Sequence, residues 1–162
     1  MNITIITGNS ERHKYLIKIL SHHNLKLIIE KKKNFSYLFN NKQKISIEAK
    51  NYFKKVLHAE KKIFGKIILK KKMYKKKIVV EYGELNDKNF SDLKSFLESD
   101  LFIVFGSSFI KGSLAKFLYE KKCINIHMGI SPYYKGTNCN FWATIDGNFH
   151  LVGATVHLLS KK

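Results

Sequence analysis

Leu101-Phe-Ile-Val-Phe-Gly-Ser-Ser108 is the stretch of this chain that decides its fold. It opens with an unbroken apolar run, and such a run without polar alternation is typical of a strand that is buried on both faces. The run ends at Gly106-Ser107-Ser108, where small residues let the backbone approach a ligand closely. A strand covered on both faces belongs in the middle of a parallel sheet, which needs helices above and below it.

The amino-terminal segment predicts the first unit of such a sheet. Asn2–Thr7 is a short β-branched run that leads into a turn at Thr7-Gly8-Asn9, which is typical of a buried strand. The apolar positions of residues 10–20 predict a helix capped by Asn9 or Ser10, and Leu25–Glu30 predicts a second strand. Strand, helix and strand in this order form a βαβ unit with parallel strands.

The remaining segments continue this alternation. Residues 45–64 predict an amphipathic helix with lysines on its outer face, and residues 66–77 predict a surface connection. The other predicted elements are strands at Ile78–Tyr82, Cys123–Met128 and Val152–Leu159, and helical segments at 86–97, Lys111–Tyr119 and Phe141–Asp146. We therefore predict one α/β domain over residues 1–162, a three-layer sandwich with a mostly parallel, Rossmann-like sheet.

The charge of the chain is strongly positive and unevenly distributed. Its 162 residues carry 30 basic and 12 acidic side chains, a net charge of +18. Residues 1–81 hold 21 basic and 5 acidic side chains (+16), whereas residues 82–162 hold 9 and 7 (+2). A basic half indicates a polyanion partner, but Arg12 is the only arginine, and bidentate phosphate or guanine recognition favours arginine. Solvated lysine faces that reflect composition are the favoured interpretation, and a nucleic-acid surface is the alternative.

Several classes of protein are excluded by simple patterns. No apolar run reaches the roughly 18–20 residues of a membrane helix, and the start lacks the basic lead and long apolar region of a signal peptide. Cys123 and Cys139 show neither metal-binding nor redox spacing. We expect a cytoplasmic protein that has no membrane partner and no metal.

Asn125 and His127 are the candidates for catalysis. They are two positions apart on a predicted strand, so both side chains point to one face of the sheet. An amide N–H can stabilise a developing oxyanion, and a neutral imidazole can take a proton from a nucleophile. The pair suits an acyl transfer that proceeds without a covalent enzyme intermediate. The structural alternative, an ordinary hydrogen-bonded histidine at a strand end, stays open.

The surrounding sequence resembles the formyltransferase family, which includes methionyl-tRNA formyltransferase, glycinamide ribonucleotide formyltransferase and the sugar N-formyltransferases. The resemblance extends from Leu101 to Leu159, whereas residues 1–100 match only in their strand–helix layout. The matching positions are Asn125-Ile-His127, Pro132-Tyr-Tyr-Lys135-Gly136, Trp142, Gly147 and Gly153-Ala-Thr155-Val-His157.

This resemblance implies N10-formyltetrahydrofolate as the formyl donor and a primary amine as the acceptor. In such enzymes the residue at Asn125 steadies the oxyanion and the one at His127 handles the amine proton, while a structural role is expected for His157. The implied donor-binding positions are Phe105, Gly106, Ser107, Ser108, Phe109, Met128, Pro132 and Gly136. For Met128, filling the core is an equal alternative.

The segment Thr7-Gly8-Asn9-Ser-Glu-Arg12-His13 is similar to formyltransferases that act on amino sugars rather than on tRNA. The implied acceptor is a nucleotide-linked amino sugar, with methionyl-tRNA as an alternative. We assign acceptor contacts to Gly8, Asn9, Arg12 and Lys135, and a plain surface role for Arg12 stays open.

The sequence departs from the family pattern in three places. Lys135 stands where arginine is usual, and Ser131 replaces a leucine. The sequence also stops at Ser160-Lys161-Lys162, before the Asp-x-Gly that would supply the family's catalytic aspartate. We therefore expect a formyltransferase fold that is incomplete at its C-terminus. The alternative function is a catalytically inactive homologue that binds polyanions.

Overall fold

The computed structural model describes residues 1–31 and 47–160. In this part of the chain a six-stranded sheet has the order β3-β2-β1-β4-β5-β6. The strands are β1 (Asn2–Thr7), β2 (Asn24–Lys31), β3 (Lys76–Glu81), β4 (Leu101–Phe105), β5 (Ile124–His127) and β6 (Thr155–Leu158). The helices are α1 (Glu11–Ile19), α2 (Ile47–Phe64), α3 (Phe90–Leu97), α4 (Gly112–Glu120) and α5 (Cys139–Ile145). Short 3-10 turns occur at Lys71–Met73, Glu84–Asp87 and Phe149–Leu151.

The sheet is parallel throughout except for β6, which runs antiparallel to β5. Strand β1 lies between β2 and β4. Its Ile3 lies opposite Leu25 of β2, and its Thr7 lies opposite Phe105 of β4. The strands of this parallel set all end at one edge, and ligands of open α/β sheets bind outside such an edge. The predicted βαβ unit and the predicted mostly parallel sheet are therefore confirmed.

Apolar side chains cover both faces of the sheet. On β1, Ile5 belongs to one buried cluster and Ile6 to the other, as the two-residue period of a strand requires. Ile17 of α1 packs into the first cluster, whereas Leu93 of α3 and Leu118 of α4 pack into the second. The helices on the two faces and the sheet between them make the three layers that the sequence predicted.

The boundaries of several elements differ from the predictions. Strand β3 begins at Lys76, inside the predicted surface connection, because the backbone of Lys76 and Lys77 continues the parallel pairing with β2. A ladder of backbone hydrogen bonds does not need apolar side chains. Strand β6 begins only at Thr155 rather than at Val152, because its pairing with β5 begins opposite His127, the last residue of β5. Helix α2 matches its prediction from Ile47, and residues 45 and 46 lie outside the described residues.

Two features are absent from the part of the chain that the structure describes. Within residues 1–31 and 47–160, no helix is long and apolar enough to cross a membrane. The same part of the chain holds no group of three or more His, Cys, Asp and Glu side chains placed to bind a metal ion.

Candidate active site

Asn125 and His127 lie on β5, near the edge where the parallel strands end. Both side chains are half-buried and share one face of the strand. Phe105 of β4 is paired with Ile126, so the turn that follows β4 lies beside this pair. The structure thus brings the predicted catalytic residues and the predicted donor-binding turn to neighbouring strand ends.

His157 orients the carboxamide of Asn125. It lies opposite Asn125 on β6, and its Nε2 is 3.2 Å from Asn125 Nδ2. Its Nδ1 is 2.9 Å from the carbonyl oxygen of Leu158. A carbonyl only accepts, so Nδ1 carries the proton and Nε2 accepts one N–H of the carboxamide. The amide nitrogen is held in place, and no acceptor in residues 1–31 and 47–160 takes its second N–H.

His127 has different partners. Its Nε2 lies 3.0 Å from the carbonyl oxygen of Tyr134 and 3.5 Å from Cys139 Sγ. Within residues 1–31 and 47–160, no carboxylate is hydrogen-bonded to this ring. The carboxylate of Asp146 instead accepts a hydrogen bond of 2.8 Å from the Tyr134 hydroxyl.

Hydrogen bonds with Thr155 hold the segment between β5 and α5, which contacts His127 through the Tyr134 carbonyl oxygen. The hydroxyl of Thr155 donates to the Gly129 carbonyl oxygen at 2.7 Å and accepts from the Ser131 N–H at 3.0 Å. The predicted donor-binding residues of this segment, Met128, Pro132 and Gly136, are all solvent-exposed. They remain candidates for ligand contact, and Met128 does not fill the core.

A buried carboxylate fixes the turn after β4. Glu30, at the end of β2, is 0 % exposed. Its Oε1 accepts from the Ser108 hydroxyl at 2.7 Å and from the Gly83 N–H at 3.0 Å, and its Oε2 accepts the Ser108 N–H. Sequence reasoning missed Glu30, although a carboxylate that ends an apolar strand was a visible signal.

The same turn exposes one large side chain. Phe105 and Ser108 are buried, whereas the Phe109 side chain is 74 % exposed. The Phe105 carbonyl oxygen accepts hydrogen bonds from the Thr7 hydroxyl (2.7 Å) and the Gly8 N–H (3.3 Å), and the Ser108 N–H donates to Glu30. Of the predicted donor-binding residues in this turn, the exposed Phe109 and the half-buried Gly106 and Ser107 are therefore the ones that a ligand can reach.

Gly8, after β1, and Gly106, after β4, both lie next to the ring of His13. A Cβ on Gly106 would lie 2.3 Å from His13 Nε2, and a Cβ on Gly8 would lie 2.7 Å from His13 Nδ1. Gly106 also has a φ of +71°, which side chains disfavour. His13 itself is buried against Phe105, with ring centroids 4.6 Å apart. Any acceptor contact at Gly8 would have to use its backbone.

The other predicted acceptor residues are spread around this edge. The Arg12 guanidinium forms an ion pair of 3.0 Å with Glu60 on α2, and Glu60 also accepts the Arg12 N–H at 2.9 Å. A phosphate at Arg12 would compete with this carboxylate. Sequence reasoning missed Glu60, which lies in a lysine-rich helix 48 residues away. Asn9 is half-buried and Lys135 is exposed.

A cavity of about 580 Å³ lies next to the β4 turn, between residues 83–93 and residues 109–114. Its lining includes Asn86, Phe90, Phe109, Lys111 and Leu114. It shares only Phe109 with the predicted donor-binding residues and does not reach His127. The candidate active site is therefore the open strand edge at β5 rather than this cavity.

No protein-family model and no curated protein matches the chain. Solved structures do match it. Phosphoribosylglycinamide formyltransferase from Anaplasma phagocytophilum aligns with 100% of this chain and 66% of its own, at 17% identity and a TM-score of 0.58. A sugar N-formyltransferase from Shewanella sp. FDAARGOS_354 aligns with 100% of this chain and 52% of its own, at 15% identity and a TM-score of 0.51. Glycinamide ribonucleotide transformylase 1 from Geobacillus kaustophilus aligns with 99% of this chain and 75% of its own, at 13% identity and a TM-score of 0.55.

These likenesses show a shared fold. The chain has the fold of the formyltransferases, as the sequence resemblance predicted. It spans about two thirds of the length of the first of these structures and about half of the second.

Proposed function

We propose that the chain transfers a formyl group from N10-formyltetrahydrofolate to a primary amine, in the cytoplasm. The observation that carries this proposal is the placement of Asn125 and His127 on one face of β5, beside the turn that follows β4. The shared fold with formyltransferases supports it. The donor supplies the formyl carbon that the amine attacks.

Each residue of the site has a part in this reaction. The free N–H of Asn125 donates to the formyl oxygen as negative charge develops there, and His157 keeps that N–H aimed. His127 accepts the proton that the attacking amine loses as the new C–N bond forms. The bond between the formyl carbon and N10 of the donor then breaks, and tetrahydrofolate leaves with a proton on N10. Within residues 1–31 and 47–160, the hydrogen-bond partners of the His127 ring are the Tyr134 carbonyl oxygen and Cys139 Sγ, so no carboxylate in this part of the chain supports its charged form.

We propose a nucleotide-linked amino sugar as the acceptor. The resemblance of residues 7–13 to sugar-modifying formyltransferases supports this choice. Among the proposed acceptor contacts, Lys135 is exposed and Asn9 is half-buried, whereas Gly8 is buried and its N–H donates to the Phe105 carbonyl oxygen. Arg12 can contribute only if the phosphate displaces Glu60.

The test is a donor-dependent formylation assay. The purified chain is incubated with N10-formyltetrahydrofolate and, in parallel, with nucleotide-linked amino sugars, glycinamide ribonucleotide or methionyl-tRNA. Mass spectrometry detects the formylated product. We expect product with the amino sugars, and its loss in His127→Ala and Asn125→Ala variants that keep the wild-type circular dichroism. No donor-dependent product with any acceptor, or full activity in His127→Ala, would refute the proposal.

A second candidate function rests on the lysine surface, which we define as Lys66, Lys70, Lys71, Lys72, Lys75, Lys76 and Lys77. All seven side chains are exposed, and residues 61–80 contain no acidic side chain. The ion pairs found in residues 1–31 and 47–160 involve Arg12 and Lys14, so none neutralises this surface. Such a surface can attract the phosphate backbone of a nucleic acid.

Salt dependence tests this candidate. We would measure binding of a labelled single-stranded oligonucleotide to the wild type and to a variant with Lys70, Lys71 and Lys72 changed to Gln. A binding surface predicts that the slope of log K against log salt falls by about 2 in this variant. The matched control changes Lys116, Lys121 and Lys122 to Gln. Equal effects in both triple variants would show unspecific attraction only.

A further inference from the structure

The Nε2 atom of His127 is covered by the segment between β5 and α5. The Tyr134 carbonyl oxygen lies 3.0 Å from it, and the sulfur of Cys139 lies 3.5 Å from it. Cys139 is the first residue of α5 and is 2 % exposed. Its Sγ is also 3.6 Å from the Gly136 carbonyl oxygen. One ring nitrogen thus meets two fixed groups of the protein.

A glycine makes this close approach possible. A Cβ on Gly129 would lie 2.5 Å from the Cβ of Cys139 and 2.9 Å from His127 Nε2. Real Cβ atoms do not approach other atoms so closely, so only glycine lets α5 begin against the ring. The backbone at Gly129 therefore allows Cys139 and His127 to lie close together.

The positions of the protons follow from the partners. A carbonyl oxygen only accepts, so His127 Nε2 must carry a hydrogen. Burial raises the pKa of the Cys139 thiol, which keeps the S–H intact at neutral pH. That S–H can donate to the Gly136 carbonyl oxygen, and a sulfur lone pair then faces the N–H of the ring. In the neutral ring the remaining lone pair belongs to Nδ1.

We infer that Cys139 is a positioning residue, which together with the Tyr134 carbonyl holds His127 in its Nε2-protonated form and leaves Nδ1 as the proton acceptor. Its catalytic meaning rests on the proposed function, whereas the placement of the proton does not. Cys139 does not react itself. It acts by fixing which nitrogen of His127 is basic and where that nitrogen stands.

The tautomer can be read directly by two-bond ¹H–¹⁵N correlation spectroscopy of the ¹⁵N-histidine-labelled protein at a pH where the ring is neutral. For His127 we expect a protonated-type Nε2 signal and an unprotonated-type Nδ1 signal. His157 gives an internal contrast, because its hydrogen bonds require the opposite tautomer. A wild-type spectrum with Nδ1 of His127 protonated overturns the inference without any variant.

Three variants separate polarity from packing at Cys139. Cys139→Val fills the space but removes the polar contact, and we expect its two His127 nitrogen signals to move toward each other. Cys139→Ser keeps a donor and an acceptor and should retain the wild-type pattern. Cys123→Val is the matched control, since Cys123 is also a buried free cysteine but lies in the apolar core. It should leave His127 unchanged.

Kinetics give the second readout. In Cys139→Val we expect kcat to fall by about tenfold to a hundredfold with KM for the donor unchanged, because a misplaced base affects the transition state more than binding. Cys139→Ser should recover most of kcat. Unchanged His127 signals and kcat in Cys139→Val would reduce Cys139 to a space-filling residue. If the expected spectra appear but no variant and no wild type forms product, the proposed function fails and the proton placement stands.

Discussion

Glu30 accepts two hydrogen bonds from Ser108, one from its backbone N–H and one from its hydroxyl. Glu30 lies on β2 and Ser108 follows β4, and β1 lies between those two strands in the sheet. Both are buried, so water cannot replace either bond. This carboxylate therefore fixes the turn that we propose to bind the formyl donor.

We expect Glu30→Gln to destabilise the protein and weaken donor binding. An amide NH₂ would face the N–H and O–H donors that now point at the carboxylate, leaving a buried donor unsatisfied. The expected loss is about 1–3 kcal/mol in the free energy of unfolding, measured by urea titration, together with a higher KM for the donor. Glu81→Gln, at an exposed position on β3, is the control and should change stability by less than about 0.5 kcal/mol. Similar losses in both variants would contradict this role for Glu30.

The pairing of Asn125 with His157 gives a kinetic prediction. In His157→Ala the carboxamide can rotate, so its N–H no longer points steadily at the formyl oxygen. Deleting an oxyanion donor costs about 10²–10³ in kcat, and we expect a smaller loss of roughly tenfold, because the donor is still present. Steady-state kinetics should show the loss in kcat with little change in KM. The exposed His150→Ala serves as control, and a kcat for His157→Ala equal to that of this control would contradict the orienting role.

Local sequence signals predicted the fold well where burial decides the structure. The apolar runs of β1 and β4 identified the central strands, and the two-residue period placed Asn125 and His127 on one face. Local sequence does not show which residues pair in the contacts that complete the site. Glu30 meets Ser108, and Arg12 meets Glu60, only because the sheet order and the packing of α2 bring distant segments together. The prediction also placed the start of β3 too late. Lys76 and Lys77 belong to this strand because they pair with Lys26 and Leu27 of β2, which the local sequence does not show.

The buried thiol of Cys123 makes the protein sensitive to alkaline pH. Burial raises the pKa of Cys123 from 9.0 to about 12. Between these two values the unfolded chain loses the thiol proton while the folded chain keeps it, so stability falls as pH rises. We expect the free energy of unfolding to decrease from pH 9 upward more steeply in the wild type than in Cys123→Val. Urea titrations at pH 7, 9.5 and 11 measure this, and parallel pH profiles for the two proteins would contradict the assignment.

The two edges of the sheet differ in a way that predicts self-association. The β3 edge carries Lys76 and Lys77, and lysines on an edge strand oppose pairing with another chain. The β6 edge instead exposes Val156 (67 %) and Leu158 (53 %). Residues 123–160 contain one lysine and one aspartate, so the large positive charge of the chain does not protect this edge. In the part of the chain that the structure describes, β6 has a neighbouring strand on one side only, and an apolar strand at the end of a sheet favours contact with a second strand.

We therefore expect the chain to associate through β6 as its concentration rises. Val156→Lys should reduce the mass measured by size-exclusion chromatography with light scattering, because it places a charge in the middle of that edge strand. Lys116→Gln, on the exposed surface of α4, is the control and should leave the mass unchanged. A wild type that stays monomeric at high concentration would show that β6 does not recruit a second strand. Association that persists unchanged in Val156→Lys would instead locate the contact on another surface.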